Sequence, residues 1–149
     1  MLLFRYSNYR KTNFIDEHKA VIDNNGYSWL LKAGKKSDMN KLKAIIDDGG
    51  GFILKSPHKD GNKYFVCFFT EVKNDEPNDT TFPKYYNDFL DDNYDYYGGQ
   101  WFKITSIQEL PDKYIGTLCL QKDGKKLEDV LPTTRTAVMF ITNDMTIKL

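Results

Sequence analysis

Along "LLFRYS", Leu2 to Ser7, the apolar run at the start gives way to polar residues in the manner of a short strand, and the pattern then changes period. In "TNFIDEHKAVIDNNG" the apolar positions Phe14, Ile15, Val21 and Ile22 fall on one side of a 3.6-residue repeat, which predicts an amphipathic helix. Thr12 stands where an N-cap belongs and Gly26 where the helix must stop. "YSWLLK" returns to a period of two, with Tyr27, Trp29 and Leu31 on one face and Ser28, Leu30 and Lys32 on the other. "SDMNKLKAIIDDGGG" predicts a second helix capped by Ser37, with Met39, Leu42, Ile45 and Ile46 inward and Gly49 to Gly51 ending it.

Two strongly apolar runs follow, "GFILKS" and "KYFVCFFTEV", joined by "PHKDGN" with the hairpin dipeptide Asp60-Gly61. They are the expected central strands of an antiparallel pair. The segment from Lys73 to Gly99 is long, polar and acidic, and "FPKYYNDFL" within it has room for one or two helical turns. A connection of this length in a small domain is usually functional or mobile. After Gly98-Gly99, "QWFKITSIQEL" reads as a strand ended by Pro111, "YIGTLCLQ" as a short strand, "KKLEDVL" as a short helix and "RTAVMFIT" as a last strand. Strand, helix, strand, helix and then mostly strands is neither a doubly wound sheet nor a sandwich. The expected class is α+β: a strongly curved mixed β-sheet or small barrel flanked by two or three helices.

With 149 residues, the chain has the length of one ordinary domain, so residues 1–149 are expected to fold as a single unit. Charged residues balance to a formal net charge of zero, yet unevenly. Residues 1–65 carry 12 Lys/Arg against 7 Asp/Glu, residues 66–100 carry 2 against 8, and residues 101–149 carry 7 against 6. A basic N-terminal part and an acidic middle leave no uniform attraction for nucleic acid. Cys67 and Cys119 lie in apolar runs, without a CxxC or Cys/His cluster, so neither zinc nor a disulfide framework is expected. No window has the length of a membrane span or a signal peptide; a cytoplasmic, reducing compartment is the expectation, with no membrane partner.

Catalytic patterns are missing as well. His18 and His58 have no paired nucleophile recognisable in the sequence, "DGGG" and "YYGGQ" lack the lysine and spacing of a phosphate loop, and "DDNYD" does not follow a calcium-loop pattern. No catalytic residue, metal or cofactor is therefore expected, and the chain is read as a non-enzyme.

Several strings in order resemble the PUA-like superfamily, and within it the EVE and YTH domains that read modified bases. "RYSN" resembles the YTH opening, "GYSWLLKAGKKSDMNKLKAI" its Gly-x-Trp region and following helix, "GGFILKSPHKDGNKYFVCFFTEV" its hairpin, and "YYGGQWFKITSIQELP" its Gly-Gly-x-Phe-Lys-Ile stretch. "TRTAVMFI" resembles the closing strand. The resemblance implies a module that takes a flipped, methylated nucleobase into an aromatic cage, with nucleic acid as partner. It also implies a separate nuclease or motor subunit of a restriction or defence system, and the superfamily includes nucleases and hydrolases.

Carried over by motif, Trp29 corresponds to the first cage tryptophan and Asn8 to the asparagine that bonds the base, with Ser7, Tyr6 and Ser28 beside them. The same Trp29 also fits a plain core position on its strand, and Asn8 an ordinary turn. The family's second cage tryptophan has no counterpart before Gly98-Gly99; Phe82, Tyr85, Tyr86, Tyr96 and Tyr97 are the available substitutes, and Trp101 is core or pocket floor. Arg5, Arg10, Lys11, Lys32, Lys35, Lys36, Lys55 and Lys59 are the candidate contacts to the nucleic-acid backbone, or a solvated face. Asp88, Asp91, Asp92 and Asp95 argue against a duplex lying along the acidic segment. Two other readings stay open: a protein-interaction or inhibitory domain that uses the acidic, tyrosine-rich loop, and a pocket for a free nucleobase or nucleotide.

Overall fold

The structure, a computed structural model, describes residues 1–57, 61–92, 99–131 and 138–143. The elements run β1 (Leu2–Arg5), α1 (Phe14–Asn25), β2 (Ser28–Lys32), α2 (Met39–Asp47), β3 (Gly51–Lys55), β4 (Tyr64–Lys73), α3 (Tyr85–Asp92) and β5 (Gln100–Glu109). A 3-10 helix (Asp112–Thr117), β6 (Leu118–Leu120), α4 (Leu127–Val130) and β7 (Val138–Asn143) complete the order. The strands form a mixed seven-stranded ladder, β2-β5-β4-β3-β1-β7-β6, and the class is α+β. The ladder has two ends, so the small barrel is not formed. At the β2 end the reason is local: the outward N–H of Trp29 donates to the Thr81 carbonyl at 2.9 Å, and that of Leu31 to the Tyr86 hydroxyl at 3.1 Å. An edge whose donors are already taken cannot pair with another strand. None of the described helices is long and apolar enough to cross a membrane.

Backbone contacts divide the chain into two compact units, each discontinuous in sequence: Met1–Tyr6, Phe52–Val66 and Gln108–Leu149 form one, Ser7–Gly51 and Cys67–Ile107 the other. In the first, β1 lies parallel to β3, from Leu2 opposite Phe52 to Arg5 opposite Lys55. A parallel pair needs a long crossover, and α1, β2 and α2 all lie between these strands in sequence. β7 runs antiparallel to β1 and β6 antiparallel to β7. Leu3, Ile53, Leu118, Leu127 and Ile141 are core here, and Phe4 stacks on Phe52 at 4.6 Å. The expected hairpin forms between β3 and β4, with the Ser56 N–H on the Lys63 carbonyl at 2.8 Å and Gly61 and Asn62 both at positive φ. The 3-10 helix after Pro111 had no sequence signal beyond that proline.

In the second unit both predicted helices form, each capped one residue later than expected. Asn13, not Thr12, caps α1 by accepting the Asp16 N–H at 3.0 Å, while the Thr12 hydroxyl turns back to the Tyr9 carbonyl. Asp38, not Ser37, caps α2, its carboxylate accepting the N–H groups of Asn40 and Lys41. Aspartate and asparagine put an acceptor at the same reach as serine or threonine and compete well for the cap. Gly26 ends α1 in the left-handed region at φ 84°, as expected. Helix α1 buries Phe14, Ile15 and also His18, and α2 fully buries Leu42 alone.

Gly51 opens β3 in close approach to the backbone of β4. A Cβ there would lie 2.1 Å from the Cys67 carbonyl oxygen, a clash with backbone that no rotamer change relieves. Gly51→Ala is expected to cost about 3 kcal/mol, at the upper end of overpacking penalties, seen as a lower urea midpoint with an unchanged m-value. A substitution that leaves the midpoint in place would mean this backbone approach is looser than described.

Candidate functional site

Four aromatic side chains meet in the second unit: Trp29 from β2, Trp101 from β5, Tyr86 from α3 and Phe82 from the segment before it, with Tyr27, Leu31, Tyr85 and Leu90 packed around them. β2 and β5 are antiparallel neighbours with Leu31 opposite Trp101 and Trp29 opposite Lys103, so alternation delivers both tryptophans to one face. Trp101 lies 5.6 Å from Phe82 and 5.9 Å from Tyr86, at 32° and 82° respectively. These are the tilted and edge-to-face geometries of packed rings, not parallel faces held apart by the thickness of a base.

Trp29 is only 2 % exposed. Its indole N–H donates to the Asp79 carboxylate at 2.9 Å, and the Tyr27 hydroxyl donates to the same carboxylate at 2.6 Å. These two donors, Tyr27 first, hold the Asp79 carboxyl below its ordinary pKa. Trp29 thus tethers the 79–82 segment to β2 and has no open face, which is the core position also weighed from the sequence. Asn8 has a structural task as well: its side-chain oxygen accepts the Phe14 N–H at 2.9 Å at the start of α1.

Behind the rings lies a buried polar relay. His18 Nδ1 is 2.7 Å from the Phe14 carbonyl oxygen; a carbonyl only accepts, so Nδ1 carries the proton and Nε2 is the acceptor. The Tyr86 hydroxyl, 2.6 Å away, therefore donates to Nε2 and itself accepts the Leu31 N–H. One hydroxyl thus joins α1, α3 and β2. Burial holds the Tyr86 hydroxyl far above its usual pKa and brings His18 down to about 4, against the smaller opposing effect of its bond to Phe14.

The same unit has a concavity of about 130 Å³ lined by Leu31, Lys36, Asn74, Asp75, Glu76, Leu90, Gly99 and Trp101. Its frame converges on Gln100, which is fully buried. The Gln100 amide accepts the Ser37 N–H at 2.8 Å and donates to the Ser37 carbonyl at 2.9 Å and to the Asn74 side-chain oxygen at 3.0 Å. Ser37 adjoins Lys36 and Asn74 adjoins Asp75, so one amide fixes both flanks of the opening. A Cβ on Gly99 would come within 2.5 Å of Leu31 and 2.7 Å of the Lys32 carbonyl; the glycine lets β5 begin hard against β2.

Of the residues singled out from the sequence, Trp29, Phe82, Tyr85, Tyr86 and Trp101 come together in this cluster. Trp101 is both core and lining, as the reading of it allowed. Ser28 is buried and donates to the Trp29 carbonyl at 3.1 Å; Ser7 is exposed. Lys32 is buried, its ammonium on the Lys35 carbonyl and its pKa lowered by desolvation. Lys35, Lys36 and Lys11 are exposed, and Arg10, at φ 54°, stands over the Tyr9 ring at 5.0 Å. Tyr6, Arg5 and Lys55 belong to the first unit: Tyr6 packs edge-on to Phe65, Arg5 donates to the Leu131 carbonyl, and Lys55 reaches Asn62. Tyr96, Tyr97, Asp95, His58 and Lys59 lie outside the described residues. Sequence reasoning missed Asp79, Asn74 and Gln100, and it missed His18 as a core group. For His18 alone a signal existed, its place four residues after Phe14 on the apolar side of α1. Among the described residues, no group of three or more His, Cys, Asp or Glu is placed to hold a metal ion.

The relay predicts a pH dependence. The unfolded chain takes up a proton at His18 near pH 6.5 and the folded chain only near pH 4, so the stability this gives is present above pH 6.5 and is lost as the pH falls to about 4. The interval corresponds to about 3 kcal/mol. Urea unfolding at pH 7, 5.5 and 4 should show His18→Leu less stable than the natural chain at pH 7, with a shallower acid slope; parallel slopes would remove His18 from the cause.

No protein-family model, no curated protein and no solved structure matches the chain.

Proposed function

We propose that the chain is a PUA-like module that binds nucleic acid by taking a modified, methylated nucleobase into the concavity of the second unit, away from the closed surroundings of Trp29. The observation that carries this reading is the lining itself. Trp101, Leu31 and Leu90 supply apolar contact for a flat ring and its methyl group, while Lys36, Asn74, Asp75 and Glu76 supply donors and acceptors for a base edge. Apolar contact and polar groups that fix orientation are the two parts of a small-ligand site, and a base must leave its stack to enter one. Lys35 and Lys36 are exposed before α2, and in this reading they meet phosphate. In this reading the packed rings of Trp29, Phe82 and Tyr86 are the frame behind the site and the chain performs no chemistry itself. Any cleavage or translocation falls to a separate nuclease or motor subunit.

The test is fluorescence anisotropy with oligonucleotides that differ only in methylation of one base. The methylated strand should bind at least tenfold more tightly. Leu90→Arg, a half-buried position whose longer side chain fills the hollow, should abolish that preference, and Trp29→Phe should leave it within about twofold. Lys36→Ala should weaken both strands alike and reduce the salt slope by about one. Equal affinity for the two strands, or a preference that survives Leu90→Arg, would overturn the reading.

A further inference from the structure

Tyr86 and His18 are a buried acid and base that nucleobase binding leaves unused. The Tyr86 hydroxyl donates to His18 Nε2 over 2.6 Å, a separation across which protons are transferred, and burial holds His18 unprotonated near neutral pH. An intact phenol keeps its proton against such a base. A phenol that has lost an electron does not, because its radical cation is a strong acid. Moving that proton breaks no hydrogen bond. The imidazolium keeps Nδ1–H on the Phe14 carbonyl at 2.7 Å and holds the new Nε2–H on the Tyr86 oxygen, which still accepts the Leu31 N–H. The buried polar groups of the relay are thus satisfied before and after the transfer. Oxidisable rings adjoin Tyr86 as well: Trp101 lies 5.9 Å away, and the half-buried Tyr85 4.9 Å.

We propose that Tyr86 is a redox-active tyrosine that carries oxidising equivalents from Trp101 to Tyr85, with His18 as its proton acceptor. A one-electron oxidant in solution, an inorganic radical for example, takes an electron from Trp101 and leaves the indole as a radical cation. Electron transfer needs no contact between ring and oxidant, so the burial of Trp101 is no obstacle. Tyr86 replaces that electron, its O–H bond breaks and the proton goes to His18 Nε2, leaving a neutral phenoxyl radical. The interior holds one positive charge throughout, first on Trp101 and then on His18, so the step buries no additional charge. Tyr85 next gives an electron to Tyr86, His18 returns the proton to the Tyr86 oxygen, and Tyr85 releases its own proton to water. A thiol in solution restores Tyr85 by giving it a hydrogen atom. The oxidant has then gained one electron, the thiol has become a thiyl radical, one proton has been released, and the protein is unchanged.

Flash photolysis of the full chain at the red edge of indole absorption, with an electron scavenger in solution, makes the tryptophan radical directly. Its green absorption should decay as the violet absorption of a phenoxyl radical rises. The conversion should be first-order, independent of protein concentration, and about twofold slower in heavy water because a proton moves with the electron. Tyr86→Phe should slow it about tenfold, Trp29→Phe should leave it unchanged, and Tyr85→Phe should leave its rate unchanged while lengthening the life of the phenoxyl signal. Difluorotyrosine in place of Tyr86 keeps the hydroxyl and its bonds, and so tests the assignment even where Tyr86→Phe fails to fold: the radical trapped by freezing should show fluorine splitting in its paramagnetic resonance spectrum. A trapped phenoxyl without that splitting, a rate that survives Tyr86→Phe, or a rate that rises with protein concentration would overturn Tyr86 as the carrier. No effect of heavy water would overturn His18 as the acceptor, and loss of the conversion in Trp29→Phe would overturn Trp101 as the point of entry.

Discussion

The Tyr86 hydroxyl is the atom on which the second unit most depends. It donates to His18 Nε2 and accepts from the Leu31 N–H, so a single oxygen takes a bond from the edge of β2 and gives one to α1. Without it, Leu31 would be left with an outward N–H and His18 with an unpaired acceptor in an apolar interior; each buried unpaired group costs roughly 1–3 kcal/mol. The relay also selects one tautomer of His18, because Nδ1 must keep its proton for the Phe14 carbonyl. A ring held this way is a spacer of fixed length between a helix and a strand, and burial keeps it neutral across the ordinary pH range.

Gln100 does for the rim what Tyr86 does for the interior. It stands at the first position of β5, and its amide uses both ends, accepting from Ser37 and donating to Ser37 and Asn74. Two connections that are far apart in sequence, the turn before α2 and the segment leaving β4, are thereby held at one strand end. A neutral amide suits this role better than a charged side chain, since a fully buried charge would need a partner of opposite sign. Fixed polar anchors under a small opening also reduce what a ligand must order when it binds.

The elements were largely legible and the bonding roles were not. Hydrophobic period marked both long helices, the two β2 faces, the central β3 and β4 and a short helix within the acidic segment, because burial on one face imposes that period wherever a helix or strand meets a core. Caps slipped by one residue, from Thr12 to Asn13 and from Ser37 to Asp38, since adjacent residues with similar acceptors differ only in backbone angles that sequence does not display. The parallel pairing of β1 with β3 could not be read, because it depends on which edges the intervening helices leave open. His18 was visible on the apolar side of its helix, but its partner is 68 residues away.

Trp29 shows why an aromatic-rich segment is a poor guide to a binding face. A tryptophan that must be buried still needs an acceptor for its indole N–H, and Asp79 provides one while the Tyr27 hydroxyl binds the same carboxylate. That arrangement closes the ring's surroundings and ties down the segment that carries Phe82 and leads into Tyr86. Trp101 starts from the same sheet face, yet its strand follows directly on Gly99, where the missing side chain leaves the start of β5 tight against β2 and Trp101 beside an opening. Two tryptophans of nearly equal burial, 2 % and 3 % exposed, thus differ in what stands next to them: for one a carboxylate that completes its bonding, for the other unfilled space.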